Sequence, residues 1–208
     1  MSNIRRRTLL AGGVLTAAAG TGLLSLLRAP AFAKEITVEE VLFDPANPVL
    51  GNPEGDVTIV EFFDYQCPYC KANHPVLTET VEADGNIRLV MKDWPIFGAP
   101  SVRASQLALG AATLGRYEAA NSALMETDGK LDETRIHEAL KDVGFDVAAL
   151  DRAYRDERSR WDGLMGRNSD QATMLGLRGT PAFIIGTTIY PGAMDAAALR
   201  DAVELARA

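Results

Sequence analysis

The chain has 208 residues, with 21 lysines and arginines against 28 aspartates and glutamates, a net charge of −7. Four of those arginines fall in residues 1–33, which hold no acids, so the remainder carries 17 basic against 28 acidic groups, a net −11. That sign excludes a nucleic-acid-binding surface and a surface that docks on anionic lipid, while the length suits one domain with its own core.

Residues 1–33 read as a secretory signal peptide. Arg5, Arg6 and Arg7 form a basic start, Thr8 to Leu27 is apolar and rich in Ala, Gly and Leu, and Ala31-Phe32-Ala33 offers the small-x-small pattern of a cleavage site. Cleavage is expected before Lys34, leaving 175 residues. The run "RRTLL" fits a twin-arginine signal, and Arg28 suits that route; an ordinary Sec signal with an extra arginine is the alternative. Residues 34–56 are a lead-in segment of about two dozen residues, too short for a separate dimerisation domain, so the mature protein is expected to be a monomer. No second apolar run is long enough to span a membrane.

"VTIVEFF", Val57–Phe63, is a short run of β-branched and aromatic residues and reads as a buried strand. It leads to "DYQCPYC", which holds the chain's two cysteines, Cys67 and Cys70. Beyond them Cys70, Val76, Leu77, Thr80 and Val81 recur at helical spacing, so the pair sits where a central strand turns into a helix. Pro68 fits the first turn, where its missing N–H costs nothing. Pro75 lies further inside and is expected to kink the helix.

Two thiols in this setting have few uses. A disulfide across two residues closes too short a ring to be a useful staple. Two cysteines cannot complete a four-thiolate zinc site, and His74 and His137 lack ligand-like spacing. Haem attachment needs His at position 71, which is Lys. A copper carrier is weakened by the lack of Met or His at the lip of the motif. Redox exchange is the use left. At a helix N-terminus the N–H groups and the dipole favour a thiolate on Cys67, making it the sulfur that exchanges first. Cys70, one turn along, is expected to be more buried and to resolve. No metal or cofactor is expected.

From Gly85, "GNIRLVMKDWP" alternates as a strand and completes a βαβ unit. The stretch 98–177 reads as helical throughout, its charged run "DRAYRDERSR" being a solvated helix face with i,i+4 pairs. "RGTPAFIIGTTIYPG" then supplies two short strands, Ala182–Ile185 and Thr188–Tyr190, around a Gly-Thr turn, and "MDAAALRDAVELARA" closes as an amphipathic helix.

Strand, helix and strand with C-x-x-C, a helical block, then Thr-Pro, hairpin and helix, resemble the DsbA-like thiol–disulfide oxidoreductases of bacterial periplasms. The resemblance runs from about "DPANPVLGNPEGDVTIVEFFDYQCPYC" to the end. It implies an α/β, thioredoxin-like fold over residues 57–208 with an inserted all-helical subdomain at about 98–170. It implies a periplasmic enzyme that passes the Cys67–Cys70 disulfide to exported proteins with cysteines and is reset by a membrane redox partner. A periplasmic reductase or isomerase is the alternative, and a non-catalytic binding module the third. The resemblance also makes Pro181 a cis-proline facing the disulfide, with the Thr180 backbone free to pair with a substrate strand. It makes Glu61 a buried acid that relays the proton of Cys70, with Lys92 as a candidate partner; the alternative is that Glu61 faces solvent. Tyr69 stands where the namesake oxidases carry His, and Thr180 where they prefer an apolar residue. Both departures imply a less oxidising pair. Tyr65 and Trp94 are candidates for the edge of a substrate groove or for the core, and His74 is expected to be exposed or capping.

Overall fold

The computed structural model of the protein describes residues 36–208; the expected signal peptide and its cleavage position lie outside them. Elements occur in the order α1 (Val38–Leu42), β1 (Val49–Gly51), β2 (Val57–Phe63), α2 (Pro68–Asp84), β3 (Ile87–Asp93), α3 (Ala99–Thr113), α4 (Tyr117–Met125), α5 (Glu133–Asp142), α6 (Val147–Asp156), α7 (Arg158–Met174), β4 (Ala182–Ile185), β5 (Thr188–Pro191) and α8 (Ala196–Arg207). Among the described residues the strands form one sheet, ordered β1-β3-β2-β4-β5. β2 runs parallel to β3 and antiparallel to β4; β1 and β5 are antiparallel edges. This is the thioredoxin-like sheet with a helical block, α3 to α7, between β3 and β4.

Local signals set the element ends. Thr37 and Glu40 form a capping box on α1, and Asp132, Asp146 and Asp195 cap α5, α6 and α8 by accepting first-turn N–H groups. Gly85 ends α2 in the left-handed region at φ +70°, where a Cβ would be strained. α2 continues from Pro68 to Asp84 through Pro75. The run "DRAYRDERSR" is divided at Glu157 between α6 and α7 rather than lying on one helix; Asp151–Arg155 and Arg158–Asp162 are its i,i+4 pairs.

Every residue of β2 is buried, because both faces of the sheet are covered. Ile59, Phe63, Met91 and Phe183 point to one side, where they pack with Cys67, Cys70, Leu77 of α2 and Leu199 of α8. Val60, Phe62, Val90 and Ile184 point to the other, against Val41 and Leu42 of α1 and Ala172 of α7. Residues ahead of Val57 thus contribute a helix to one layer and an edge strand to the sheet.

The candidate active site

β2 ends at Phe63 and the chain turns through Asp64–Gln66 into α2. The Asp64 carboxylate makes this turn rigid. Its Oδ1 accepts from Gln66 N at 2.7 Å, its Oδ2 accepts from Ile96 N and Phe97 N at 2.6 and 3.0 Å, and its carbonyl accepts from Cys67 N at 3.0 Å. The Gln66 amide donates to Phe97 O and accepts from Leu131 N. Neither residue was singled out from the sequence, although an Asp just past a strand and two residues before a free N–H is the pattern of an Asx turn.

Cys67 is the N-cap of α2 and Pro68 its first residue. The Cys67 sulfur accepts from Cys70 N at 3.4 Å, and its thiol donates to Thr180 O at 3.2 Å. The Thr180–Pro181 peptide is cis. The Thr180 carbonyl is therefore engaged with Cys67 rather than free, although its second lone pair can still accept. Tyr69 is 68% exposed beside the pair.

Both thiols are free, and exposure scarcely separates them: 1% for Cys67 and 0% for Cys70. Their polar surroundings do. The Cys70 side chain hydrogen-bonds the Cys67 sulfur and, against the opposing effect of burial, brings its pKa down to about 6; the Thr180 side chain and the N–H groups of Cys70 and Tyr69 add to this. Burial drives the Cys70 pKa far upward, reinforced by the bond to Cys67 and by the nearby Glu61 carboxylate.

Glu61 is buried at 1% exposure on the cysteine side of the sheet, not facing solvent, and its Oε2 has no hydrogen-bond partner. Burial, then the charge of Cys67, raises its pKa to about 8. The expected pairing with Lys92 does not occur. In the parallel register Glu61 faces Met91, while Lys92 faces Phe62 and projects to the opposite side of the sheet, its ammonium 5.7 Å from the Phe62 ring. There burial lowers the Lys92 pKa to about 8, offset in part by Asp44.

Three other expectations resolve differently. Tyr65 is core, its hydroxyl accepting from Asn121 at 3.2 Å and lying 3.5 Å from that of Tyr117, which donates to Asp93. Burial raises the Asp93 pKa to about 7, a second buried acid that the sequence did not single out. Trp94 packs edge-on to Phe62, on the side of the sheet away from the cysteines. His74 is buried, not exposed or capping, on the side of α2 that faces α4.

Residues 58–204 match the DSBA-like thioredoxin domain family. A thioredoxin-like oxidoreductase from Silicibacter pomeroyi DSS-3 is 41% identical with a TM-score of 0.79, covering 83% of this chain and 98% of that one. The thiol-disulfide exchange protein α-DsbA2 from Wolbachia pipientis is 28% identical with a TM-score of 0.76, covering 80% and 90%. A curated relative, the Na(+)/H(+) antiporter NhaA 1 of Mycobacterium sp. (strain KMS), is 25% identical over 162 residues. These are 76% of this chain but 26% of the antiporter, so the chain spans about a quarter of that relative's length. Among the described residues no helix is long and apolar enough to cross a membrane. A C-x-x-C pair at the strand-to-helix turn of this sheet, together with a family match covering most of the chain, places the protein in the DSBA-like thioredoxin domain family of thiol–disulfide oxidoreductases.

Proposed function

We propose that the protein is an exported oxidase that donates its Cys67–Cys70 disulfide to proteins carrying cysteine pairs. The observation that carries this reading is the placement of Cys67 as the N-cap of α2, its sulfur accepting from Cys70 N and facing the cis Thr180–Pro181 peptide, an arrangement whose hydrogen bonds bring the Cys67 pKa to about 6 while burial pushes that of Cys70 far up. A stabilised thiolate favours the reduced pair, which makes the disulfide form the better oxidant.

A substrate thiolate attacks Cys67 Sγ, the Cys67–Cys70 bond breaks, and Cys70 leaves with the electron pair. Glu61, protonated at neutral pH by its burial, supplies a proton to the departing Cys70 sulfur. A second substrate thiolate then attacks the substrate sulfur of the mixed disulfide. Cys67 is released as thiolate, and two electrons have moved from substrate to enzyme. Pro181 and Thr180 border the sulfur where the substrate chain arrives, and Pro68 and Tyr69 shape the turn. A membrane redox partner takes the two electrons back. Residues 1–33 deliver the chain to the periplasm, by the twin-arginine route on the evidence of "RRTLL".

Thr180 favours a second reading, a periplasmic reductase or isomerase, since its side chain lies against Cys67 where the namesake oxidases prefer an apolar group. Equilibration of the purified protein with glutathione separates the two. A potential between roughly −120 and −230 mV is expected, and one near the thioredoxin value of ~−270 mV overturns the oxidase.

A further inference from the structure

Beside the active-site helix lies a groove of about 510 Å³ between α2 and α4. It starts at Lys71, the residue after Cys70, and follows α2 to Glu79. Glu79 lines it from α2, Glu118 from α4, and Glu126 and Asp128 from the turn after α4, Asp128 at the Lys71 end. None of these four carboxylates forms an ion pair with a described residue. Arg103, Arg155, Arg158, Arg167 and Arg207, by contrast, are all paired elsewhere. Among the described residues Lys71 is the one cation on the groove wall, and its ammonium is held by Thr127 O and Oγ1 at 2.8 Å and by Gly129 O at 3.2 Å. Arg135, beyond that end, donates to the Asp128 carbonyl.

A second feature points to a ligand. His74 lines the groove, is 6% exposed, and its Nδ1 has no hydrogen-bond partner. A buried nitrogen left unpaired is costly unless something else satisfies it. Burial lowers the His74 pKa, so the ring is neutral and has an acceptor to offer. The exposed Pro75 adds an apolar surface, while Met125 beside it is buried. Unpaired carboxylates, a neutral imidazole and an apolar strip suit a long cationic side chain, whose stem packs on the strip while its head meets the acids. A metal ion fits worse, because among the described residues no three His, Cys, Asp or Glu groups are placed to hold one.

We propose that this groove binds a lysine or arginine of the protein substrate, about two to six residues from the reacting cysteine. Lys71 and Glu79 lie four and twelve residues past Cys67, ~6 and ~18 Å along the helix at ~1.5 Å per residue. An extended chain advancing ~3.3 Å per residue covers those distances in about two to six steps. The assignment rests on Cys67 being the sulfur that the substrate meets. It makes the groove a specificity site for basic segments flanking exported cysteines.

The test uses three single-cysteine peptides with Arg, Gln or Glu four residues from the cysteine, and follows their attack on the Cys67–Cys70 disulfide. The Arg peptide is expected to react on the order of tenfold faster than the Gln peptide at low salt, the advantage shrinking in ~0.5 M salt. It is expected to vanish in the double variant Glu79→Gln/Glu126→Gln, whose two positions are exposed. Equal rates for Arg and Gln peptides, or an advantage that survives the double variant, overturn the proposal. If no peptide attacks Cys67 the oxidase reading fails, and binding is then judged alone. The chain has two histidines, so titration of labelled protein with the Arg peptide carrying Ser for Cys is read on both rings. A shift of His74 with His137 unmoved supports the groove. No shift of His74, or a shift with zinc ion alone, overturns it.

Discussion

Cys67 and Cys70 show that acidity at a buried site is set by hydrogen-bond donors and burial together. Cys67 has donors aimed at its sulfur; Cys70 is driven up first by burial, then by its bond to Cys67 and by the nearby Glu61 carboxylate. Alkylation of the reduced protein by iodoacetamide should therefore modify Cys67 alone, with a midpoint near pH 6. Labelling of Cys70 first reverses the assignment. Cys70→Ser should accumulate mixed disulfides through Cys67, and either serine variant should lose dithiol–disulfide exchange. Glu61 titrates in the opposite sense. Its folded pKa, about 8, lies above its ordinary 4.5, so folding takes up a proton between those values and stability falls as pH rises through that window. Glu61→Gln keeps the shape and removes the charge. It should slow transfer most at neutral pH and raise stability at pH 8 by ~1–3 kcal/mol, a gain absent at pH 4. A pH–rate profile that overlays the wild type leaves Glu61 without a role in proton transfer.

At the scale of elements, helices meet closely where the sequence supplies small residues. α3 crosses α6 at Gly110, where a Cβ would lie 2.3 Å from the Leu150 carbonyl oxygen. Gly110→Ala should destabilise the protein by ~1–3 kcal/mol despite its better helix propensity, because the clash is with backbone. Unchanged thermal unfolding would mean that the helices separate freely. Such tertiary contacts mark where legibility from the sequence ended. The strands β2 to β5 and the helical block were legible because β-branched runs and 3.6-residue spacing are local signals; α1 and β1, inside the expected lead-in segment, were not, because elements of five and three residues carry too little pattern. The side taken by Glu61 and Lys92 was not, since both faces of the sheet are covered and alternation no longer distinguishes core from solvent. The parallel register that separates them is a property of two strands together. The burial of His74 does have a local signal. Cys70, His74, Leu77 and Val81 form one helical stripe, and the polar residue in it masked the pattern.

For the whole molecule, the thiol pair ties redox state to global stability. In the reduced protein the Cys67 pKa is about 6 against an ordinary 9, so between those values the folded chain binds fewer protons than the unfolded one. Cys67 thus contributes stability to the reduced protein that grows as pH rises from 6 to 9 and is lost as pH falls back to 6, opposite in sign to the contribution of Glu61. The disulfide form has no thiol to titrate. The difference in unfolding free energy, reduced minus oxidised, should climb across this window by at most ~1.4 kcal/mol per pH unit. Repulsion between the Cys67 thiolate and an ionising Glu61 works against the gain, and solvent screening reduces it, so a total of ~2 kcal/mol is expected. Denaturant unfolding of both forms at pH 6, 7.5 and 9 measures it. In Glu61→Gln the climb should steepen above pH 7, because the opposing carboxylate is gone. A difference that stays flat from pH 6 to 9 in the wild type means that the fold does not favour the Cys67 thiolate, and the oxidase loses its thermodynamic basis.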